Sequence, residues 1–171
     1  MGSPALFLDR DGTLIPDVGY LSDPEKVALL PDVVTALTDA KARGYKLVIV
    51  SNQSGIARGY FDEATAHRVQ ARVNEMFEAR GVTFDGVYFC VHGPDDGCAC
   101  RKPSPGMLLD AARDLDIDLS RSIMIGDKPS DIEAGRHAGC RAYVAFETPV
   151  ATATIVAKTW KDIQRWLGDQ K

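Results

Sequence analysis

The stretch Ala5-Leu-Phe-Leu-Asp9-Arg-Asp11-Gly12-Thr13 decides how the rest of the chain is read. Ala5 to Leu8 is a short apolar run of buried-strand character, and it ends in two carboxylates spaced i, i+2. Gly12 and Thr13 then turn the chain. In a parallel α/β sheet, ligands sit at the carboxyl ends of the strands. Two acids placed there repel one another unless a cation shares the site, and a hard, oxygen-seeking ion such as Mg2+ suits them. One carboxylate can then attack an electrophile while the other handles protons. Taken alone, the run also reads as an acidic turn capping a helix, so the remaining strand ends must arbitrate.

The chain has 171 residues, enough for one domain with a sizeable core, and we expect a single domain over residues 1–171. Hydrophobic residues make up 45% and charged residues 26%, as in ordinary globular proteins. A net charge of −4 with mixed signs and no Lys/Arg run argues against a nucleic-acid surface. The longest apolar stretches, such as Leu47 to Val50, are too short to cross a bilayer, and no export signal precedes the first strand. The expectation is a cytoplasmic protein without nucleic-acid or membrane partners. No long amphipathic seam is evident, so a monomer is expected.

Strand and helix signals alternate along the chain. A loop-rich stretch from Asp17 to Pro31 leads to a helix over Val33 to Arg43, stopped by Gly44. Lys46 to Ser51 is a second buried strand. Asp62 caps a helix running to Arg80, with Gly81 as its stop. Val87 to Cys90 is a short strand, and Ser104-Pro105 opens a helix with Ser as cap. Ser122 to Ile125 is a strand. The run Ser130-Asp-Ile-Glu133 reads as a capping box for a helix ending near Gly139. Arg141 to Ala145 is a further strand and Lys161 to Leu167 a terminal helix, while 147–159 carries no clear signal. Such alternation predicts a doubly wound, Rossmann-like α/β fold with a parallel sheet.

Three further strand ends carry polar chemistry. Ser51-Asn52-Gln53-Ser54-Gly55 offers hydroxyl, amide and turn N–H groups to phosphate oxygens. Arg101-Lys102 supplies two cations for a dianion, and Gly126-Asp127-Lys128 a third acid. Individually these also read as a turn residue, a solvated charge and a helix cap. Their order at consecutive strand ends instead places all four in one crevice.

Cys90-Val-His92 and Cys98-Ala-Cys100 add three thiols and an imidazole, a closed tetrahedral zinc set. Cys98 and Cys100 are too close in sequence to bridge comfortably, and nothing points to an oxidising compartment. An unmetallated thiol cluster is the remaining alternative. Cys140 reads as a small buried residue. His67 and His137 fall within helical patterns and offer no Ser/His/Asp set.

These residues resemble the haloacid dehalogenase superfamily of aspartate-nucleophile phosphohydrolases. Its four motifs are similar to Asp9-Arg-Asp11-Gly-Thr13, Ser51, Lys102, and Gly126-Asp127 with Asp131, over residues 5 to about 145. The resemblance implies Asp9 as nucleophile and Asp11 as general acid and base. It implies Mg2+ on Asp9, Asp127 and the Asp11 backbone carbonyl, with Ser51 and Lys102 steadying the phosphoryl group. The intervals between Asp9, Ser51 and Lys102 are too short for the lid domains of some members, which leaves specificity to short loops. A phosphotransferase or mutase would need shielding from water that a lidless site lacks. A phospho-accepting receiver domain has no use for a Cys3His loop.

Two zinc-loop branches of the superfamily are similar to this chain, one acting on histidinol phosphate and one on a heptose bisphosphate. Asn52-Gln-Ser-Gly-Ile-Ala-Arg58-Gly59 resembles the second, with an Arg that the first replaces. That likeness implies a small sugar bisphosphate as partner. Its contacts would come from Asp17, Val18, Gly19, Tyr20, Asn52, Gln53, Ser54, Arg58, Arg101 and Lys128, and Zn2+ would be held by Cys90, His92, Cys98 and Cys100. The stretch between His92 and Cys98 is shorter than in some heptose enzymes.

Overall fold

β1 (Ala5–Leu8) is flanked on both sides by parallel strands in the computed structural model, which describes residues 2–170. The chain continues through α1 (Val33–Ala42), β2 (Lys46–Asn52), a short α2 (Ser54–Ala57), α3 (Glu63–Glu78) and β3 (Gly86–Cys90). Then follow α4 (Gly106–Asp114), β4 (Ile123–Gly126), α5 (Pro129–Ala138), β5 (Ala142–Phe146), β6 (Ile155–Ala157) and α6 (Trp160–Gly168). All five strand pairings are parallel, in the order β3-β2-β1-β4-β5-β6. This is the doubly wound order, and its direction reverses between β1 and β4, where such sheets open a crevice.

Side chains alternate between two cores, as the period of two in a strand dictates. Leu6, Leu8, Leu47, Ile49, Ile123 and Ile125 pack with α1, α3 and α6 on one face. Ala5, Phe7, Val48, Val50 and Met124 pack with α4 and α5 on the other. Leu8 lies in register with Ile49 and Ile125, so β1, β2 and β4 deliver their next residues to one edge.

Several expected boundaries shift for identifiable reasons. Asp62 caps α3 as expected, accepting from the Thr65 N–H at 2.7 Å. α5 starts at Pro129, not at a Ser130 cap. The Asp131 carboxylate reaches back to the Lys128 N–H at 3.0 Å, which makes Lys128 the N-cap. A lysine side chain has no acceptor, so this box is one-sided, and Glu133 of the expected Ser130 box instead accepts from Arg136 and Thr152. Pro105 is itself the N-cap of α4, and Ser104 instead closes a turn by donating its N–H to Arg101 at 2.8 Å. The unsignalled stretch 147–159 contains β6, and α6 begins one residue early, at Trp160. The Ser54 turn is helical for four residues. No helix among the described residues is long and apolar enough to cross a membrane.

Candidate active site and metal centres

Asp9 follows β1 directly and is buried, and the Lys102 ammonium donates to its Oδ1 at 2.8 Å. The same ammonium donates to Asp131 Oδ1 at 2.6 Å and to the Val50 carbonyl at 2.8 Å. All three donors of a buried lysine are therefore used. Asn52 clamps the Lys102 backbone from both sides. Its amide donates to the Lys102 carbonyl at 3.2 Å, and its Oδ1 accepts from the Lys102 N–H at 3.0 Å. Expected as a substrate contact, Asn52 spends its amide on aiming the lysine.

Carboxylate oxygens of Asp9, Asp127 and Asp131 lie within 4.8 Å of one another. Burial resists ionisation of Asp9, but Lys102, helped by a hydrogen bond from Asp127 and the Lys128 charge, outweighs it and holds the carboxyl below its usual range. Asp127 goes the other way, pushed up to about 8 by burial and then by Asp9. Asp131 is raised to about 6 by burial and by Asp9, with Lys102 opposing. Three crowded acids, two of which ionise only with difficulty, form a cradle of hard oxygens for a divalent cation. Gly12 leaves that cradle open: its φ is 87°, and a Cβ there would stand 2.3 Å from Asp127 Oδ2. Asp131 was expected in the fourth motif but not as a metal ligand, whereas here it completes the cluster.

The Asp11 carboxylate points elsewhere. It accepts from Arg10 Nε at 3.2 Å and from Gln53 Nε2 at 3.2 Å, and Gln53 also donates to Ser51 Oγ at 2.7 Å. Thr13 is fully buried and donates to Asp127 Oδ1 at 3.4 Å, while its carbonyl accepts from Trp160 Nε1 at 2.7 Å. Trp160, the first residue of α6, therefore pins the turn that follows β1. No local sequence signal marks a contact that spans so much of the chain.

A cleft of about 840 Å3 opens over these groups. Its lining includes Asp11, Asp17, Gly19, Tyr20, Asn52, Gln53, Ser54, Arg58, Arg101, Lys102 and Lys128, with Cys98 at the zinc-loop side. Val18 is exposed and lies outside that lining. Lys128 faces Asp17 at 3.6 Å across the cleft, and Arg58 sits over the Tyr20 ring at 6.0 Å. Arg101 Nη1 is buried with no hydrogen-bond partner among the described residues. A buried guanidinium N–H without an acceptor is costly, and an anionic ligand removes that cost.

Beside the cleft, ligand atoms of Cys90, His92, Cys98 and Cys100 also lie within 4.8 Å of one another. The separations are 3.5 Å for Cys90 Sγ to His92 Nδ1, 3.6 Å for Cys90 to Cys98, and 2.9 Å for Cys90 to Cys100. None is a disulfide length. Burial opposes the Cys98 thiolate, but the Arg101 amide and the other thiols bring it down to about 7. Cys90 is pushed up to about 12 by burial. One ready thiolate among protonated partners, with a single imidazole, suits a cation that displaces the remaining protons. Cys140 is buried and its thiol is raised to about 12 by burial, as befits a core residue. His67 stacks on Phe89 with centroids 5.8 Å apart, and His137 Nδ1 lies 3.1 Å from the Pro103 carbonyl, both away from the acids.

A carboxylate paired with a buried lysine beside acids that could hold a metal, on this sheet order, suits a hydrolase. Residues 16–139 match the haloacid dehalogenase-like hydrolases, and the chain belongs to that family. Its relatives narrow the class. It is 45% identical over 160 residues to the D-glycero-beta-D-manno-heptose-1,7-bisphosphate 7-phosphatase of Photorhabdus laumondii, covering 88% of this chain and 85% of that one. It is 43% identical over 146 residues to the corresponding alpha-heptose enzyme of Burkholderia mallei, covering 81% and 77%. The D,D-heptose 1,7-bisphosphate phosphatase of B. bronchiseptica, solved with magnesium and phosphate, superposes with a TM-score of 0.88 at 32% identity, over 98% of this chain and 99% of that one.

Proposed function

We propose that this chain is a Mg2+-dependent phosphatase that removes the C7 phosphate of D-glycero-D-manno-heptose 1,7-bisphosphate. The released heptose 1-phosphate would feed nucleotide-heptose and surface-polysaccharide synthesis. The observation that carries the reading is the unpartnered Arg101 N–H in the wall of the cleft that Asp11 and Lys102 also line. A substrate with a second dianion satisfies it, and Arg58 at the same cleft adds charge.

In the proposed reaction, an Asp9 oxygen attacks phosphorus as the bond to the sugar oxygen breaks, and Asp11 gives its proton to that oxygen. Water then attacks the same phosphorus while Asp11 takes its proton, and Asp9 leaves as a carboxylate. Lys102, its donors held by Asp9, Asp131 and the Val50 carbonyl, steadies the phosphoryl oxygens by its charge, and Ser51 by its hydroxyl. Asp9, Asp127 and the Asp11 backbone carbonyl would hold Mg2+, with Asp131 beside them, and the bound ion lowers the repulsion between anionic nucleophile and anionic substrate. Zn2+ on Cys90, His92, Cys98 and Cys100 would be structural, fixing Arg101 and Lys102 one and two residues beyond its last ligand. The proposal includes one catalytic domain acting as a cytoplasmic monomer on a small soluble sugar.

Phosphate release with Mg2+ from the α and β anomers of the heptose bisphosphate and from L-histidinol phosphate tests the substrate. A strong preference for one heptose anomer is expected, with Arg101→Ala raising its KM about 10- to 100-fold through loss of a charge-assisted contact. Preference for histidinol phosphate would overturn the assignment. The two heptose relatives above differ by only two points of identity, so the assay, not overall similarity, decides the anomer.

Two further results are expected. Burial and Asp9 push Asp127 up to about 8 in the fold, far above its unfolded value of about 4. Its protonated form is thus the stable one without metal: that stability is full at low pH and lost as pH rises through about 8. Mg2+ must displace this proton, so its affinity should climb roughly tenfold per pH unit below about pH 8 and level off above. Calorimetric Mg2+ titrations between about pH 6 and about pH 9 read this directly, and a flat profile would contradict it. Separately, Cys98→Ser should lose zinc by elemental analysis and lower the melting temperature together with activity. Retention of one zinc per chain would remove Cys98 from the ligand set.

A further inference from the structure

We propose that Arg10, locked by Gln70 and Phe89, is the positioning residue for Asp11, an inference that rests on the proton-transfer role given to Asp11 above. Arg10 is only 1% exposed, an unusual place for a guanidinium. It turns back on its own neighbour, with Nε 3.2 Å from Asp11 Oδ2 and Nη2 3.4 Å from Oδ1. This planar fork fixes the carboxylate plane as well as its position. Arg10 is itself held from outside the cleft. Nη1 donates to Gln70 Oε1 at 3.2 Å, the Phe89 ring lies 5.9 Å from its central carbon, and Gln70 is tied to Asn74 at 2.9 Å. Gln70 is buried within α3, so a helix that contributes nothing to the cleft lining sets the direction of a cleft carboxylate.

A carboxyl that must reach a departing oxygen and then a water gains from such restraint, because small misplacements of reacting groups cost large factors in rate. A purely structural arginine would plug the gap between β3 and α3 and nothing more. The two roles differ in how they treat leaving groups. Proton donation matters for a sugar alkoxide and little for a nitrophenolate, which departs without a proton.

The test compares kcat/KM for the heptose bisphosphate and for p-nitrophenyl phosphate in Gln70→Leu, Gln70→Glu and Arg10→Lys, with Asp11→Asn as reference. kcat/KM is chosen because it reports the step in which the leaving group departs. Gln70→Leu should lose about 30-fold on the sugar, a part of the ~100- to 10,000-fold worth of a general acid, and no more than about 3-fold on the aryl ester. Gln70→Glu, which keeps an acceptor for Arg10, should restore both to within about 3-fold. Arg10→Lys should follow Gln70→Leu, since an ammonium cannot fork. Equal losses on both substrates, or none on either, would overturn the proposal. If Arg10→Lys does not fold, the two Gln70 variants still decide. If Asp11→Asn itself fails to discriminate between the substrates, the role given to Asp11 falls and this inference with it.

Discussion

Asp9→Asn is expected to abolish phosphate release, by at least ~10,000-fold in kcat, with the fold intact. The loss follows from removing the nucleophile, for which no neighbour can substitute: Asp11 is held away by Arg10 and Gln53, and Asp131 is engaged by Lys102 and the Lys128 N–H. The intact fold follows from the ion-pair geometry. Lys102 keeps Asp131 at 2.6 Å and the Val50 carbonyl at 2.8 Å, so deleting the Asp9 charge does not orphan a buried cation. It also removes the Asp9 hydrogen bond and repulsion that, after burial, are the next largest reasons Asp127 is pushed up to about 8. The melting temperature should therefore change little, and Asp127 should ionise more easily. Acid-quenched wild-type enzyme should carry a phosphoryl group by intact mass, and Asp9→Asn should not. A variant that turns over within about 100-fold of wild type, or that still acquires the label, would show that another group attacks.

The polar strand ends of this site were legible because each sits next to an apolar run in the sequence, and a parallel sheet sends such ends to one edge. Asp9, Ser51 and Asp127 are placed that way, and Cys90, His92, Cys98 and Cys100 by simple spacing. What stayed hidden depends on side chains meeting across the chain. Arg10 and Gln70 are 60 positions apart, and an arginine after a strand ordinarily reads as solvated. Trp160 and Thr13 meet across 147 positions. β6 is three residues long with an exposed Val156 at its centre, too short to show a periodicity, and only its pairing with β5 defines it. Asp131 enters the sequence reading only through the likeness to the fourth motif. That its second oxygen meets the lysine at the far end of the zinc loop depends on the Asn52 clamp, a tertiary feature.

Lys102→Met should be the most damaging single change to stability in the site. The lysine is 3% exposed and is shared by two buried carboxylates, so its removal leaves both without a cation. Breaking a buried pair by removing one partner costs about 3–5 kcal/mol, because the charge left behind is neither hydrated nor neutralised. The effect has a pH signature when measured without Mg2+. Asp9 sits below its usual range because Lys102, with smaller help from Asp127 and Lys128, outweighs burial; without that lysine, burial, the largest single influence, prevails, and Asp131, already raised to about 6, climbs further. Both folded values then exceed the unfolded ones, so the variant is most stable at low pH and loses stability as pH rises. In wild type the depressed Asp9 contributes in the opposite sense, stabilising above its unfolded value and losing this as pH falls. The gap between the two proteins in urea should hence be wider at about pH 8 than at about pH 5. Activity should fall together with stability, since a protonated Asp9 cannot attack. Adding Asp131→Asn to Lys102→Met should recover part of the loss, because one of the two orphaned charges is gone. A pH-independent gap, or a double variant as unstable as the sum of the singles, would mean that Lys102 acts through packing and not through charge.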